Sequence, residues 1–73
     1  MNIDDVEYDV LTALQSKLEG LEVYDVYIED CEEAGDDDLR DLFEEIKQDD
    51  ERHATKLREA LARLLTRGGN GAR

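Results

Sequence analysis

Apolar residues recur at three- and four-residue steps through the second half of the chain, the spacing of one face of an amphipathic α-helix. The stripe consists of Leu39, Leu42, Phe43, Ile46, Leu57, Leu61 and Leu64. Between Ile46 and Leu57 it turns polar. An advance of about 100° per residue places Asp50 and His53 on the buried face in this gap. The pattern predicts one helix over about residues 38–66 that carries a carboxylate and an imidazole toward the core.

A second stripe of the same spacing predicts a helix in the first half, over about residues 4–34. It consists of Val10, Leu11, Leu14, Leu18, Leu21 and Ile28. Gly20 lies inside this stripe and costs about 1 kcal/mol relative to Ala. We interpret Gly20 as a site where another backbone packs closely, in preference to a hinge.

The segment between the two stripes has the composition of a helix end followed by a helix start. Gly35 can adopt the left-handed conformation just past a helix, and the three Asp residues after it supply an N-cap and first-turn acids. A turn at about residues 35–37 is short enough to make the helices antiparallel neighbours. Residues 68–73 are rich in Gly, and we expect a flexible tail there.

Two helices of about thirty residues form a rod about 45 Å long, in which each helix covers only one face of the other. The 73-residue chain contains one cysteine, so no internal disulfide can stabilise so small a core. Pairing of two hairpins about a two-fold axis is the usual solution. The predicted fold is therefore all-α: an antiparallel helical hairpin over residues 1–67 that completes a four-helix bundle as a homodimer or larger homo-oligomer.

The net charge of the chain limits the classes of partner that its surface can bind. The formal net charge is −12, from 21 Asp and Glu against 9 Lys and Arg. This balance argues against nucleic acid and anionic membranes as partners of the outer surface, and it favours cations or a basic protein. No run approaches the roughly 18 apolar residues of a membrane span, and residues 1–5 are neither basic nor apolar. We expect a soluble, cytoplasmic protein.

Asp50 and His53 are spaced i, i+3, so one metal ion can take both. Folding the hairpin about Gly35 brings Glu22 to the edge of the same level, and it can supply the ligand from the first helix. Doubled in a dimer, this set is mostly oxygen with some imidazole, which suits Fe or Mn better than a closed zinc site. The alternative for His53 is a core histidine hydrogen-bonded to a carboxylate.

The chain resembles a known protein family over about residues 14–65. The residues that carry the resemblance are Tyr24, Tyr27, Ile28, Cys31, Gly35, Leu39, Leu42, Phe43, Asp50 and His53. They are similar to the first two helices of ferritin-like proteins, especially rubrerythrins and the two-helix encapsulated ferritins, with Asp50 in place of Glu in a Glu-x-x-His motif. The resemblance implies a di-iron or di-manganese site between helices, used for oxidation with oxygen or peroxide, and an encapsulating shell as a partner.

The chain departs from that family at the ligand of the first helix. The family spacings place this ligand at Lys17 or at Gly20, and neither side chain can bind a metal ion. Either Glu22 or Glu19 substitutes from a neighbouring position, or the site has decayed and Lys17 now neutralises Asp50.

Three hypotheses about function follow. The first is a ferritin-like di-metal (Fe or Mn) binding protein with Glu22, Asp50 and His53 as ligands at a dimer interface, which oxidises iron or handles peroxide. In this hypothesis the metal is the redox centre and no separate catalytic residue is assigned. The second is a non-catalytic ferritin-like assembly module whose former site is an ion-pair network. The third is an acidic protein-binding module that mimics nucleic acid.

Overall fold

The structure, a computed structural model, describes the backbone of residues 5–71 and the side chains of residues 5–66. Over this range it contains two helices, α1 at Asp5–Ala34 and α2 at Asp37–Gly71, and no strand. The predictions of an all-α chain and of a helical hairpin are confirmed. The backbone of α2 continues past Thr66 into the stretch predicted as a tail, and residues 72–73 lie outside the described residues.

The turn between the helices is built by hydrogen bonds that satisfy both helix ends. Gly35 has a φ of 72°, its N–H donates to the carbonyl of Glu32 (3.1 Å), and the N–H of Asp36 donates to the carbonyl of Cys31 (2.9 Å). This is the hydrogen-bond pattern of a Schellman motif. The N–H of Leu39 then donates to the carboxylate of Asp36 at 3.0 Å, so Asp36 is the N-cap of α2. The predicted roles of Gly35 and the following Asp residues are confirmed.

The two helices pack through a seven-residue repeat, in which steps of four and three alternate. Every residue of this repeat is buried or half-buried, whereas its neighbours are mostly exposed. The repeat comprises Val10, Leu14, Lys17, Leu21, Tyr24, Ile28 and Cys31 in α1, and Phe43, Lys47, Asp50, Ala54, Leu57, Leu61 and Leu64 in α2. Such spacing keeps one seam of each helix against the other along a rod, which here measures 58 × 20 × 12 Å.

This repeat places Asp50, but not His53, between the two helices of one hairpin. From Asp50 the packed seam advances four residues to Ala54, which is 3% exposed, and then three to Leu57. His53 is consequently exposed in the single chain. Lys47 and Asp50 are three residues apart in the seam, so the step after Asp50 is four and reaches Ala54 instead of His53.

The seam also leaves several residues of the predicted stripes outside the helix interface. Leu11 is 45% exposed, Leu18 38% and Leu42 48%. Among the described residues only Leu14, Cys31, Ala54 and Leu64 are buried, and each keeps 3–7% of its surface exposed. Neither described helix is long and apolar enough to cross a membrane. One hairpin therefore covers only part of the apolar surface that the sequence carries.

Candidate functional site

Three polar side chains from the two helices meet within the packed seam. Lys17 Nζ lies 3.1 Å from Asp50 Oδ1, and the hydroxyl of Tyr24 donates to Asp50 Oδ2 at 3.0 Å. The side chain of Asp50 is 17% exposed, while that of Lys17 is 39% exposed. We call Lys17, Tyr24 and Asp50 the polar layer. Both oxygens of the Asp50 carboxylate are engaged from α1, so this charge enters the seam with its partners supplied.

The repeat explains how α1 can hold Asp50 from both sides. Lys17 and Tyr24 are seven residues apart, so they occupy the same position of the repeat two turns from each other. Asp50 lies between them and is therefore level with Gly20 and Leu21. A second cross-helix ion pair, between Lys47 Nζ and Asp25 Oδ1 at 2.7 Å, lies nearer to the turn, and its Asp25 end is exposed.

The polar layer shifts the proton affinity of its own members. The hydrogen bond from Lys17, followed by that from Tyr24, lowers the pKa of the Asp50 carboxyl, and burial opposes this effect. The hydrogen bond to Asp50 raises the pKa of Tyr24, with a further contribution from burial. Asp50 is thus held as a carboxylate and Tyr24 as a neutral donor across the neutral pH range.

Aromatic rings cover the turn side of the polar layer. Tyr24 lies edge-on to Tyr27 with centroids 5.9 Å apart, and the ring of Phe43 is 5.3 Å from that of Tyr27. Beyond these rings an open groove of about 350 Å³ extends toward the turn. It is lined by Tyr27, Asp30, Cys31, Ala34, Asp36, Leu39 and Phe43. Cys31 lies at its base, is 5% exposed, and packs as a small apolar residue; burial raises the pKa of its thiol.

The structure does not gather the three predicted metal ligands in one chain. Asp50 is taken up by Lys17 and Tyr24, whereas Glu22 and His53 are both exposed. Glu22 directly follows the seam residue Leu21, which puts it on the side of the hairpin away from His53. Over residues 5–66, no group of three or more His, Cys, Asp or Glu side chains could hold a metal ion.

Sequence reasoning identified Lys17 as a residue that could neutralise Asp50, and the structure shows this contact. It did not predict the hydrogen bond from Tyr24 to Asp50. The signal was present in the spacing: Tyr24 continues the series Val10, Lys17 and Cys31 at seven-residue steps. A tyrosine at such a position has its ring in the seam and needs a partner for its hydroxyl.

A second, mostly apolar surface runs along one side of the hairpin. Its residues directly precede the seam positions that are reached by a four-residue step. In an antiparallel pair these flanking positions of both helices lie on the same side, and the groove lined by Ala34 and Leu39 shows that they do so here. We call this surface the open face. It consists of Ala13, Gly20, Tyr27 and Ala34 of α1 and Leu39, Ile46, His53 and Ala60 of α2.

The open face has little covering in the single chain. Tyr27 is 42% exposed and Leu39 is 40% exposed, and the adjacent Val23 and Leu42 are 40% and 48% exposed. A Cβ atom built on Gly20 meets no heavy atom within 4 Å. The backbone that was expected to pack closely at Gly20 is therefore not α2 of the same chain.

No protein-family model, curated protein or solved structure significantly matches the chain. The resemblance to ferritin-like proteins accordingly remains a prediction from the motif residues. The structural conclusion at this stage is an all-helical hairpin with a satisfied polar layer in its seam and an uncovered apolar face.

Proposed function

We propose that the chain is a non-catalytic assembly module, a helical hairpin that pairs with a second copy through its open face to complete a four-helix bundle. The observation that carries this proposal is the polar layer. The carboxylate best placed to bind a metal ion instead accepts hydrogen bonds from Lys17 and Tyr24. Asp50 then has a structural role, with Lys17 as its counter-ion.

The exposed apolar surface supports pairing. A helix or sheet that is apolar on a second side must bury that side against another element, and the hairpin has no further element to offer over residues 5–71. With four buried residues among those described, a single hairpin has a core below what small domains usually need. A second copy supplies a face of the same length and chemistry.

The polar layer supports a unique register for such a bundle. Apolar seams tolerate sliding by one heptad, because one leucine layer replaces another at little cost. A slide of the two helices would separate Asp50 from Lys17 and Tyr24 and leave a charge in the seam without partners. The layer therefore reinforces the alignment of α1 with α2 that the short turn at Gly35 and Asp36 already sets.

Sedimentation equilibrium on the untagged chain tests the proposal, with Ala13→Glu as the disrupting variant. Ala13 is exposed in the single chain and lies on the open face, so the added charge spares the hairpin but would be buried unpaired in the dimer. Thr12→Glu is the matched control, since Thr12 is exposed on the outward side of the same helix turn. We expect a dimer that Ala13→Glu weakens at least about tenfold and Thr12→Glu weakens about twofold or less. A wild-type monomer across the micromolar range contradicts the proposal.

A second candidate function is ferritin-like di-metal binding, with Fe or Mn held at the dimer interface. The observation in its favour is that His53 lies on the open face, one turn from Asp50 and near the middle of the rod. A second copy would bring another Asp50 and His53 toward the same region. Metal binding in this arrangement requires Asp50 to release Lys17, and Glu22 would have to be replaced by a ligand on the other side of α1.

Metal content and oxygen-dependent Fe(II) oxidation separate the two candidates. The assembly module predicts a folded, dimeric protein without stoichiometric Fe or Mn after reconstitution, and no difference between wild type and His53→Ala. One or two metal ions per dimer that are lost in His53→Ala would instead establish the metal site. Asp50→Ala does not separate metal binding from stability, because it also removes the hydrogen-bond partner of Lys17 and Tyr24.

A further inference from the structure

Charge is distributed very unevenly between the two ends of the hairpin. Residues 19–51, which form the half containing the turn, carry 16 Asp and Glu against 2 Lys and Arg. The other described half, residues 5–18 with 52–66, carries 4 acidic and 5 basic residues. The formal charges are therefore −14 and +1. We call these halves the acidic half and the neutral half.

The boundary between these halves coincides with the middle of the rod and with the polar layer. Asp50 contacts Lys17 and Tyr24, so it is level with Gly20, and Gly20 lies halfway along the 30-residue helix α1. The open face runs through this level into both halves. A second copy can therefore cover it in either of two orientations, with the two turns at the same end or at opposite ends.

We propose that the two hairpins pair with their turns at opposite ends, so that the acidic half of each copy lies on the neutral half of the other. This inference rests on the proposed dimer and specifies its geometry. The same-end arrangement would set two acidic halves, each of formal charge −14, side by side. Packed helices are about 8–10 Å apart, comparable with the screening length at physiological salt, so this repulsion survives screening.

The opposite-end arrangement also gives the groove at the turn an occupant. The groove combines the apolar surface of Tyr27, Leu39 and Phe43 with the carboxylates of Asp30 and Asp36. The neutral half of a partner brings Ala13 and Ala60 on its open face, bordered by the basic side chains of Lys56 and Arg63 at the neighbouring positions. Apolar surface then meets apolar surface, and the rim carboxylates meet basic residues.

Distances between spin labels in the dimer test the orientation directly. Asp38 is exposed on the outward face at the turn, and Glu19 is exposed on the outward face at the middle of the rod. A nitroxide at Asp38→Cys should give an intermolecular distance of about 40–50 Å when the turns are at opposite ends, because Asp38 lies 12 residues from Asp50, the middle of the dimer. It should give about 20–30 Å, the thickness of two helix layers, when they are at the same end. The label at Glu19→Cys should give about 20–30 Å in both arrangements and so reports the dimer itself.

The label positions require one control for the native cysteine. Cys31 is 5% exposed, so brief labelling in the native background and labelling in a Cys31→Ala background should give the same distances. A short Asp38 distance in a protein that sediments as a dimer overturns the orientation alone and leaves the assembly module standing. A monomer, with no intermolecular distance from Glu19, overturns both.

Discussion

At the scale of single residues, the central feature is a carboxylate that is placed in an otherwise apolar seam and satisfied there by a lysine and a tyrosine. Lys17 reaches Asp50 from one side and Tyr24 from the other, both at hydrogen-bonding distance. Lys17 keeps 39% of its side chain exposed, so the ion pair is screened and contributes much less than a fully buried pair. The ion pair has a larger effect on alternative packings of the two helices, because a packing that separates Asp50 from its partners leaves a charge unpaired in the seam.

A double-mutant cycle should separate the ion pair from the cost of breaking it. We expect the change in unfolding free energy of the double variant Lys17→Met/Asp50→Leu to differ from the sum of the changes in the two single variants. The difference is the coupling energy, which should be about 0.2–1 kcal/mol for this partly exposed pair. The double variant should be more stable than Asp50→Leu alone, because it leaves no unpaired lysine at the seam, whereas the Tyr24 hydroxyl loses its acceptor in both. Urea unfolding followed by circular dichroism measures all four proteins. A double variant less stable than either single variant would show that the layer stabilises the fold itself.

The lowered pKa of Asp50 makes its contribution depend on pH. Folding stabilises the carboxylate form of Asp50 relative to the protonated form. The contribution of this carboxylate to the free energy of unfolding is therefore complete above the unfolded pKa of about 3.9, and it is lost as pH falls through the lower pKa of the folded chain. We expect the stability difference between wild type and Asp50→Asn to shrink as pH falls below about 4. Comparison with Asp38→Asn, an exposed carboxylate, removes the general effect of acid on a chain with 21 acidic residues. A difference that stays constant down to about pH 2.5 would contradict the assignment.

At the scale of the helices, the turn shows how local chemistry sets an element boundary. Gly35 takes a φ of 72°, and Asp36 caps the first turn of α2 through the Leu39 N–H. Asp36→Ala should destabilise the hairpin by about 1 kcal/mol, because it removes the acceptor for an otherwise orphan donor. Asp38→Ala, two residues on and exposed, removes the same charge without the cap and should change stability by about 0.5 kcal/mol or less. Equal losses in thermal melts of the two variants would attribute the effect to charge alone.

Gly20 affects both the stability of α1 and the proposed pairing of two chains. A glycine inside a helix costs about 1 kcal/mol relative to Ala, and α2 leaves the space beside Gly20 empty. Gly20→Ala should therefore stabilise the isolated hairpin by about 0.5–1 kcal/mol at protein concentrations below the dissociation constant of the dimer. At the same time it should weaken the dimer, because the added methyl group meets the approaching chain. Thermal melts at low concentration and sedimentation equilibrium measure the two effects, and a variant improved in both would show that no backbone packs at this glycine.

At the scale of the whole molecule, charge opposes both folding and association. A net charge of −12 repels a second copy, and 16 of the 21 acidic residues are concentrated in the acidic half. We expect sodium chloride between about 0.05 and about 0.5 M to raise the melting temperature and to tighten the dimer, because it screens repulsion more than it weakens the exposed ion pairs. Melts and sedimentation along one salt series measure both. A melting temperature that falls with salt would show that cross-helix pairs such as Lys47–Asp25 outweigh the repulsion.

The sequence by itself determined the two helices, their boundary and their antiparallel packing. Helical periodicity, a Gly followed by Asp residues, and a short connection are local signals, and local hydrogen bonds such as those of Gly35 and Asp36 realise them without help from distant residues. The presence of a polar layer at Asp50 was also readable, since a carboxylate in an apolar stripe stands out in any register. Lys17 was identified as one candidate to neutralise it.

Only the tertiary structure decided which neighbour of Asp50 is covered and which groups satisfy it. The seam alternates steps of three and four residues, and its phase is set by where α1 packs, so the step after Asp50 reaches Ala54 and His53 lies outside the seam. That choice depends on the mutual fit of two stripes, which neither stripe encodes alone. It also directs Tyr24 onto Asp50, places Glu22 on the far side of α1, and leaves the open face available to another chain.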